Sequence, residues 1–171
     1  MAENMAVWLE IWPVAADEHG IWLVSGKDAW RPCLPVASDD EPHAELELEL
    51  ATRGALEQAT LVHSTSWRAE GQGLTLTYAV VLHRPGLALD GWPEALPIDL
   101  PLIEMVGKPI AHRPTDPPTP RHVDVLMHAL RHLRLLMAMD ASAATALVDP
   151  WPRHLQRLQP ALAGMYDEVS D

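Results

Sequence analysis

An acidic ribbon between two strand-like segments constrains this chain more than any other feature. It reads His43-Ala44-Glu45-Leu46-Glu47-Leu48-Glu49-Leu50-Ala51-Thr52-Arg53-Gly54-Ala55. Leu46, Leu48 and Leu50 alternate with Glu45, Glu47 and Glu49, which is the period of a strand. Ala, Leu and Glu are strong helix formers, however, and no β-branched residue occurs before Thr52. Pro42 suits a first helical turn, with Asp39, Asp40 and Glu41 beside the positive end of the dipole. Arg53-Gly54 suits a C-terminal cap. The balance favours a helix with Glu41, Glu45 and Glu49 four apart on one face and Ala44, Leu48 and Ala51 on another.

The flanks are extended. Ile21–Ser25 reads as a strand, and residues 6–14 as another, ended by Pro13. Asp17-Glu18-His19-Gly20 is a turn in which Gly20 would accept positive φ. After the ribbon, His63, Thr65 and Trp67 alternate with Ser64, Ser66 and Arg68. Leu74, Leu76, Tyr78, Val80 and Leu82 then alternate with Thr75, Thr77, Ala79 and Val81. Glu70-Gly71-Gln72-Gly73 between them closes an antiparallel hairpin.

Residues 84–120 are rich in proline and predict a long crossing loop with one short helix near 100–107. Thr119-Pro120 then opens a helix over 120–138, where Val123, Met127, Leu130, Leu133 and Met137 recur at helical spacing. Asp140 is placed to cap a short Ala-rich helix running to Val148. Asp149-Pro150 starts another, broken by Pro160.

This element order (strand, acidic helix ending in x-Gly-aliphatic, strand hairpin) resembles the central part of a Nudix domain. The family pattern runs Gly, five residues, Glu, seven residues, Arg-Glu-aliphatic-x-Glu-Glu-x-Gly-aliphatic. Anchored on Gly54-Ala55, it sets Ala51 and Thr52 on the Glu-Glu pair and Glu47-Leu48 on the Arg-Glu pair, so the box is degenerate. The resemblance implies an α/β fold, a mixed β-sheet flanked by helices, over residues 1–138, with a helical C-terminal extension over 139–171. It implies metal-dependent hydrolysis, or non-catalytic binding, of a nucleotide-like diphosphate. Glu41, Glu45 and Glu49 would hold Mg²⁺, with Glu45 and Glu49 catalytic. A hard cation prefers such oxygens. Trp67 would stack a base and Arg68 would meet a phosphate. The competing reading is a solvated acidic face on the helix, with Trp67 in the core and Arg68 at its rim.

Other constellations are weaker. His128 and His132 lie four apart on the long helix, a chelating spacing, but Arg131 stands between them and a polar helix surface is the expectation. Ser64 and Ser66 lack the glycine-flanked context of a nucleophile. Lys108, Arg113, Arg121, Arg131 and Arg134 form a local reversal of charge, expected to pair with the acidic 39–49 segment. A net charge of −12 argues against nucleic acid or anionic membrane as partner. The single cysteine, Cys33, excludes an internal disulfide, fits a cytoplasmic location and is expected to be buried. A second functional class is a non-catalytic interaction module, in which tryptophans, the Pro-rich loop and the C-terminal helices serve a partner or a homodimer.

Overall fold

A computed structural model describes residues 5–37, 39–83, 91–101 and 121–162. It is of the α/β class: a mixed five-stranded sheet and four α-helices among those residues. Two compact units divide the chain, Met1–Pro97 and Ile98–Asp171. The long helix belongs to the second unit.

In the first unit the strands are β1 (Ala6–Ala16), β2 (Ile21–Leu23), β3 (Ala59–Glu70), β4 (Gly73–Leu82) and β5 (Leu96–Pro97). Their order in the sheet is β3-β4-β1-β2-β5. β1 runs parallel to β4, and the other neighbours are antiparallel. Pro13 does not end β1. It sits opposite Val80, and its carbonyl accepts from the Val24 amide at 2.9 Å. The Asp17–Gly20 turn forms as expected, with the Asp17 carboxylate accepting from the amides of His19 and Gly20 at 2.8 and 3.0 Å. Gly20 is not at positive φ.

The ribbon is a helix, α1 (Pro42–Thr52), with Pro42 in its first turn. Its C-terminus closes as the sequence predicts. Gly54, at φ +69°, donates to the Ala51 carbonyl at 3.0 Å, and Ala55 donates to that of Leu50 at 2.8 Å. These two bonds make a Schellman cap, and the fully buried Ala55 completes it by joining Leu50 in the core. Leu46 and Leu50 are the residues that α1 buries; Leu48 is 60% exposed. At 100° per residue, only every second leucine of the alternation can face the sheet. The core under α1 takes Leu9, Ile11 and Ala15 of β1 and Val80 and Leu82 of β4, with Trp30 and Val24.

The second unit contains α2 (His122–Met139), α3 (Ala141–Ala146) and α4 (Trp151–Leu155). Arg121 is the N-cap of α2, while the expected Thr119-Pro120 start lies outside the described residues. So does most of the helix expected over 100–107. From Asp124 to Leu130 α2 is buried all round, rather than along one stripe. His128 and His132 are buried too, their rings 6.1 Å apart edge to face, which corrects the expected polar surface. Asp140 caps α3 through the Ala143 amide at 2.8 Å, as its position predicts. No helix among the described residues is long and apolar enough to cross a membrane.

Candidate functional site

The sheet carries its chemistry on the face away from α1. Residues paired across neighbouring strands point to the same face. Glu10 of β1 therefore shares a face with Thr77 of β4, and Trp8 shares it with Thr75. β3 joins them by an irregularity. Ser64 pairs with Tyr78 but Ser66 with Thr77, so Thr65 is an extra residue that resets the alternation. Ser66, Arg68 and Glu70 thereby fall on the Glu10 face, in line with His63. Trp67 goes to the α1 face with Ser64. Strict alternation had grouped Trp67 with His63, and Arg68 with Ser64; the bulge exchanges those partners.

Arg31 arrives from the other side by the same logic. Trp30 and Ile11 exchange backbone hydrogen bonds, each 2.9 Å, as an isolated antiparallel bridge. Trp30 thus turns into the α1 core beside Ile11, and Arg31, one residue on, turns to the Glu10 face.

Glu10 is fully buried and is the centre of the cluster. Arg68 grips it with two nitrogens, Nη1 to Oε2 at 2.7 Å and Nη2 to Oε1 at 3.1 Å. The Thr77 hydroxyl donates to Oε2 at 3.1 Å, and Arg31 Nη2 donates to Oε1. Arg68 also reaches Glu70, whose Oε2 accepts from the Thr75 hydroxyl at 2.9 Å. Burial acts to raise the Glu10 carboxyl, but the hydrogen bond and charge of Arg68, then those of Arg31, outweigh it and hold it below its ordinary value of 4.5. Burial likewise opposes the charge on Arg68, and Glu10, with Glu70 behind it, more than restores it.

Beside this network lies a recess of about 330 Å³, lined by Trp8, Leu9, Arg31, Pro32, Glu70 and Thr75. Arg31 is the component that faces outward. Its side chain is 46% exposed, against 10% for Arg68 and 1% for Glu10. Gly73 allows the recess wall to form. A Cβ there would stand 2.8 Å from the Ala6 carbonyl oxygen and 3.2 Å from the Trp8 indole. Gly73→Ala is therefore expected to push β1 and the Trp8 ring away, at a cost of about 1–3 kcal/mol in urea denaturation. A change under a few tenths would mean that the indole does not rest on this residue.

The residues singled out by the sequence are scattered. Glu41 is the N-cap of α1; its carbonyl accepts from Ala44 and Glu45, and it makes no side-chain cap. Glu45 is half-buried, and Glu49 accepts from Arg53 Nε at 2.6 Å. Among the described residues, no three His, Cys, Asp or Glu side chains gather as a cation site. Trp67 is 58% exposed, and Arg68 is committed within the sheet on the opposite face. Cys33 is exposed, not buried. What the sequence reading missed was Glu10, Arg31 and Trp8. The available signal was a carboxylate at the centre of an otherwise apolar strand, Trp8-Leu9-Glu10-Ile11-Trp12.

No family model, curated protein or solved structure matches this chain.

Proposed function

We propose that the first unit is a Nudix-like domain with a degenerate box that binds a nucleotide-like ligand without hydrolysing it. The recess beside Glu10 is the binding site. The element order supports the likeness: strand, acidic helix closed by Gly54, then hairpin. One observation carries the ligand reading. An indole and an outward-facing guanidinium share one recess, and the guanidinium is held from behind by a buried carboxylate. Trp8 offers a stacking surface to a base. Arg31 keeps donors beyond the one bound to Glu10, which suits a phosphate oxygen. Glu70 accepts from an exocyclic amine at the same rim. Glu10 and Arg68 position these groups and need not touch the ligand.

Turnover has no comparable support. Glu49 is engaged by Arg53, and the α1 carboxylates belong to no group of three or more His, Cys, Asp or Glu side chains among the described residues.

Calorimetry with a panel of nucleoside diphosphates, with and without Mg²⁺, tests this. Binding is expected to be Mg²⁺-independent, with the nucleotide recovered intact. Arg31→Ala should weaken it about 10–100-fold, the scale of a charged hydrogen bond. Trp8→Ala should weaken it by a similar factor through lost stacking. Silence across the panel would remove the reading. Mg²⁺-dependent cleavage abolished in Glu45→Gln/Glu49→Gln would move the site onto α1.

A further inference from the structure

A second recess, of about 260 Å³, lies in the first unit and is lined by Val24, Trp30, Arg53, Trp92, Pro93 and Glu94. The Trp30 and Trp92 rings have centroids 5.6 Å apart and planes inclined at 34°, so they pack against one another as a tilted pair, and the wedge is the recess beside that pair rather than a gap between the rings. Trp30 is fixed by its backbone bridge to Ile11 and by the α1 core. Trp92 belongs to a turn closed by the Ala95 amide on the Trp92 carbonyl at 3.0 Å. That turn rests on Gly26, at φ +85°, where a Cβ would come within 3.0 Å of the Glu94 carbonyl.

The wedge already accommodates a cation. The Arg53 guanidinium carbon lies 5.0 Å from the Trp30 ring centroid, while its Nε is held by Glu49. Indole faces carry negative potential and attract cations. Glu94 lines the wedge, and Glu49 behind it pairs with the one guanidinium. Val24 and Pro93 add apolar walls. Such surroundings favour a cation that is weakly hydrated, because its desolvation costs least.

We propose that this wedge is a site for a small methylated ammonium group, and that Arg53 is a built-in competitor which the ligand displaces from Trp30. Trp30 supplies the π face, Trp92 a second aromatic wall of the recess and Glu94 the counter-charge. Displaced Arg53 keeps its partner Glu49, one turn back on the same helix. The site is independent of the Trp8 recess, and neither reading depends on the other.

The test is NMR titration of the indole N–H signals of the full chain with tetramethylammonium and choline. The neutral isostere 3,3-dimethylbutanol serves as control. Saturable shifts of Trp30 and Trp92 are expected, assigned by Trp92→Phe and by elimination. The isostere should bind at least about fivefold more weakly, the scale of one cation–π contact. Glu94→Gln should weaken binding, whereas Arg53→Ala should tighten it by about three- to tenfold. A melting curve for Arg53→Ala confirms that it is folded, and Arg53→Gln provides a milder variant. Equal binding of the isostere would make the wedge a mere apolar crevice and overturn the proposal. Weaker binding in both Arg53 variants, or no saturation in any protein, would overturn it as well.

Discussion

Replacing Glu10 by Gln is expected to destabilise the protein by about 3–5 kcal/mol, the cost of removing one partner from a buried ion pair. The side-chain volume is almost unchanged, so the loss is not a cavity effect. It arises because the Arg68 guanidinium, nine-tenths buried, keeps its charge and loses its strongest partner. Glu70 still reaches one of its nitrogens at 3.2 Å, but Glu70 is itself a third exposed and screened. Against a typical total of about 5–15 kcal/mol, such a loss removes a large share of folding stability. Urea denaturation followed by tryptophan emission measures it. A companion variant separates the causes: Glu10→Leu with Arg68→Met removes both charges and fills the space with apolar atoms. It should be more stable than Glu10→Leu alone, because no buried charge is left unpaired. If the single and double variants were equally unstable, the penalty would lie in packing instead.

The same carboxylate sets an acid limit. Its folded pKa lies below 4.5, so the folded protein releases this proton more readily than the unfolded chain does. A depressed carboxyl contributes stability that is complete above the unfolded pKa and is lost as pH falls through the folded value. Wild-type stability should therefore decline below about pH 5, and Glu10→Gln should show a shallower decline over that window. Asp17 adds to the wild-type slope with the same sign. Burial acts to raise it, and the Trp22 indole with the His19 and Gly20 amides overcomes that. Because Asp17 remains in the Glu10 variant, some slope persists.

Local order was legible in the residues because its causes are local. The choice of helix for 42–52 followed from Ala, Leu and Glu outweighing an alternating pattern, and Gly54 marked its end. Asp140 announced α3 in the same way. The failures share a different cause. Alternation along β3 is correct from Leu61 to Ser64; at Thr65 one extra residue reverses every later side chain, and nothing in Ser64-Thr65-Ser66 signals it. Pro13 reads as a stop because its missing donor is obvious. Its carbonyl bond to Val24 and its place opposite Val80 come from other strands. The candidate site was hidden for the same reason. Glu10 finds Arg31 across 21 positions and Arg68 across 58, so its partners are set by sheet order and not by spacing. Helical charges, by contrast, drew notice because they are close in sequence.

That contrast predicts which side of α1 matters. Leu50 is fully buried, sits at the third position from the cap and packs with Ile11, Val80 and Ala55 in one cluster. Leu50→Ala is expected to cost about 2–5 kcal/mol, the sum of lost burial and an unfilled cavity. Leu46→Ala, equally buried one turn earlier, should fall in the same range. Leu48→Ala, at 60% exposure, should change stability by about 0.5 kcal/mol or less. Glu45→Gln keeps the size of a half-buried side chain and should be near neutral, and Glu49→Gln should lose only the pair with the partly exposed Arg53, about 0.2–1 kcal/mol. Thermal or urea denaturation of these five variants orders them. The expected order assigns α1 the task of covering the sheet, with its leucines carrying the energy and its glutamates contributing little. A stability gain on adding Mg²⁺, present in wild type and absent in Glu45→Gln/Glu49→Gln, would reverse that assignment. Ligand binding to the native state alone raises its stability by mass action, and only the helix carboxylates are changed in that variant.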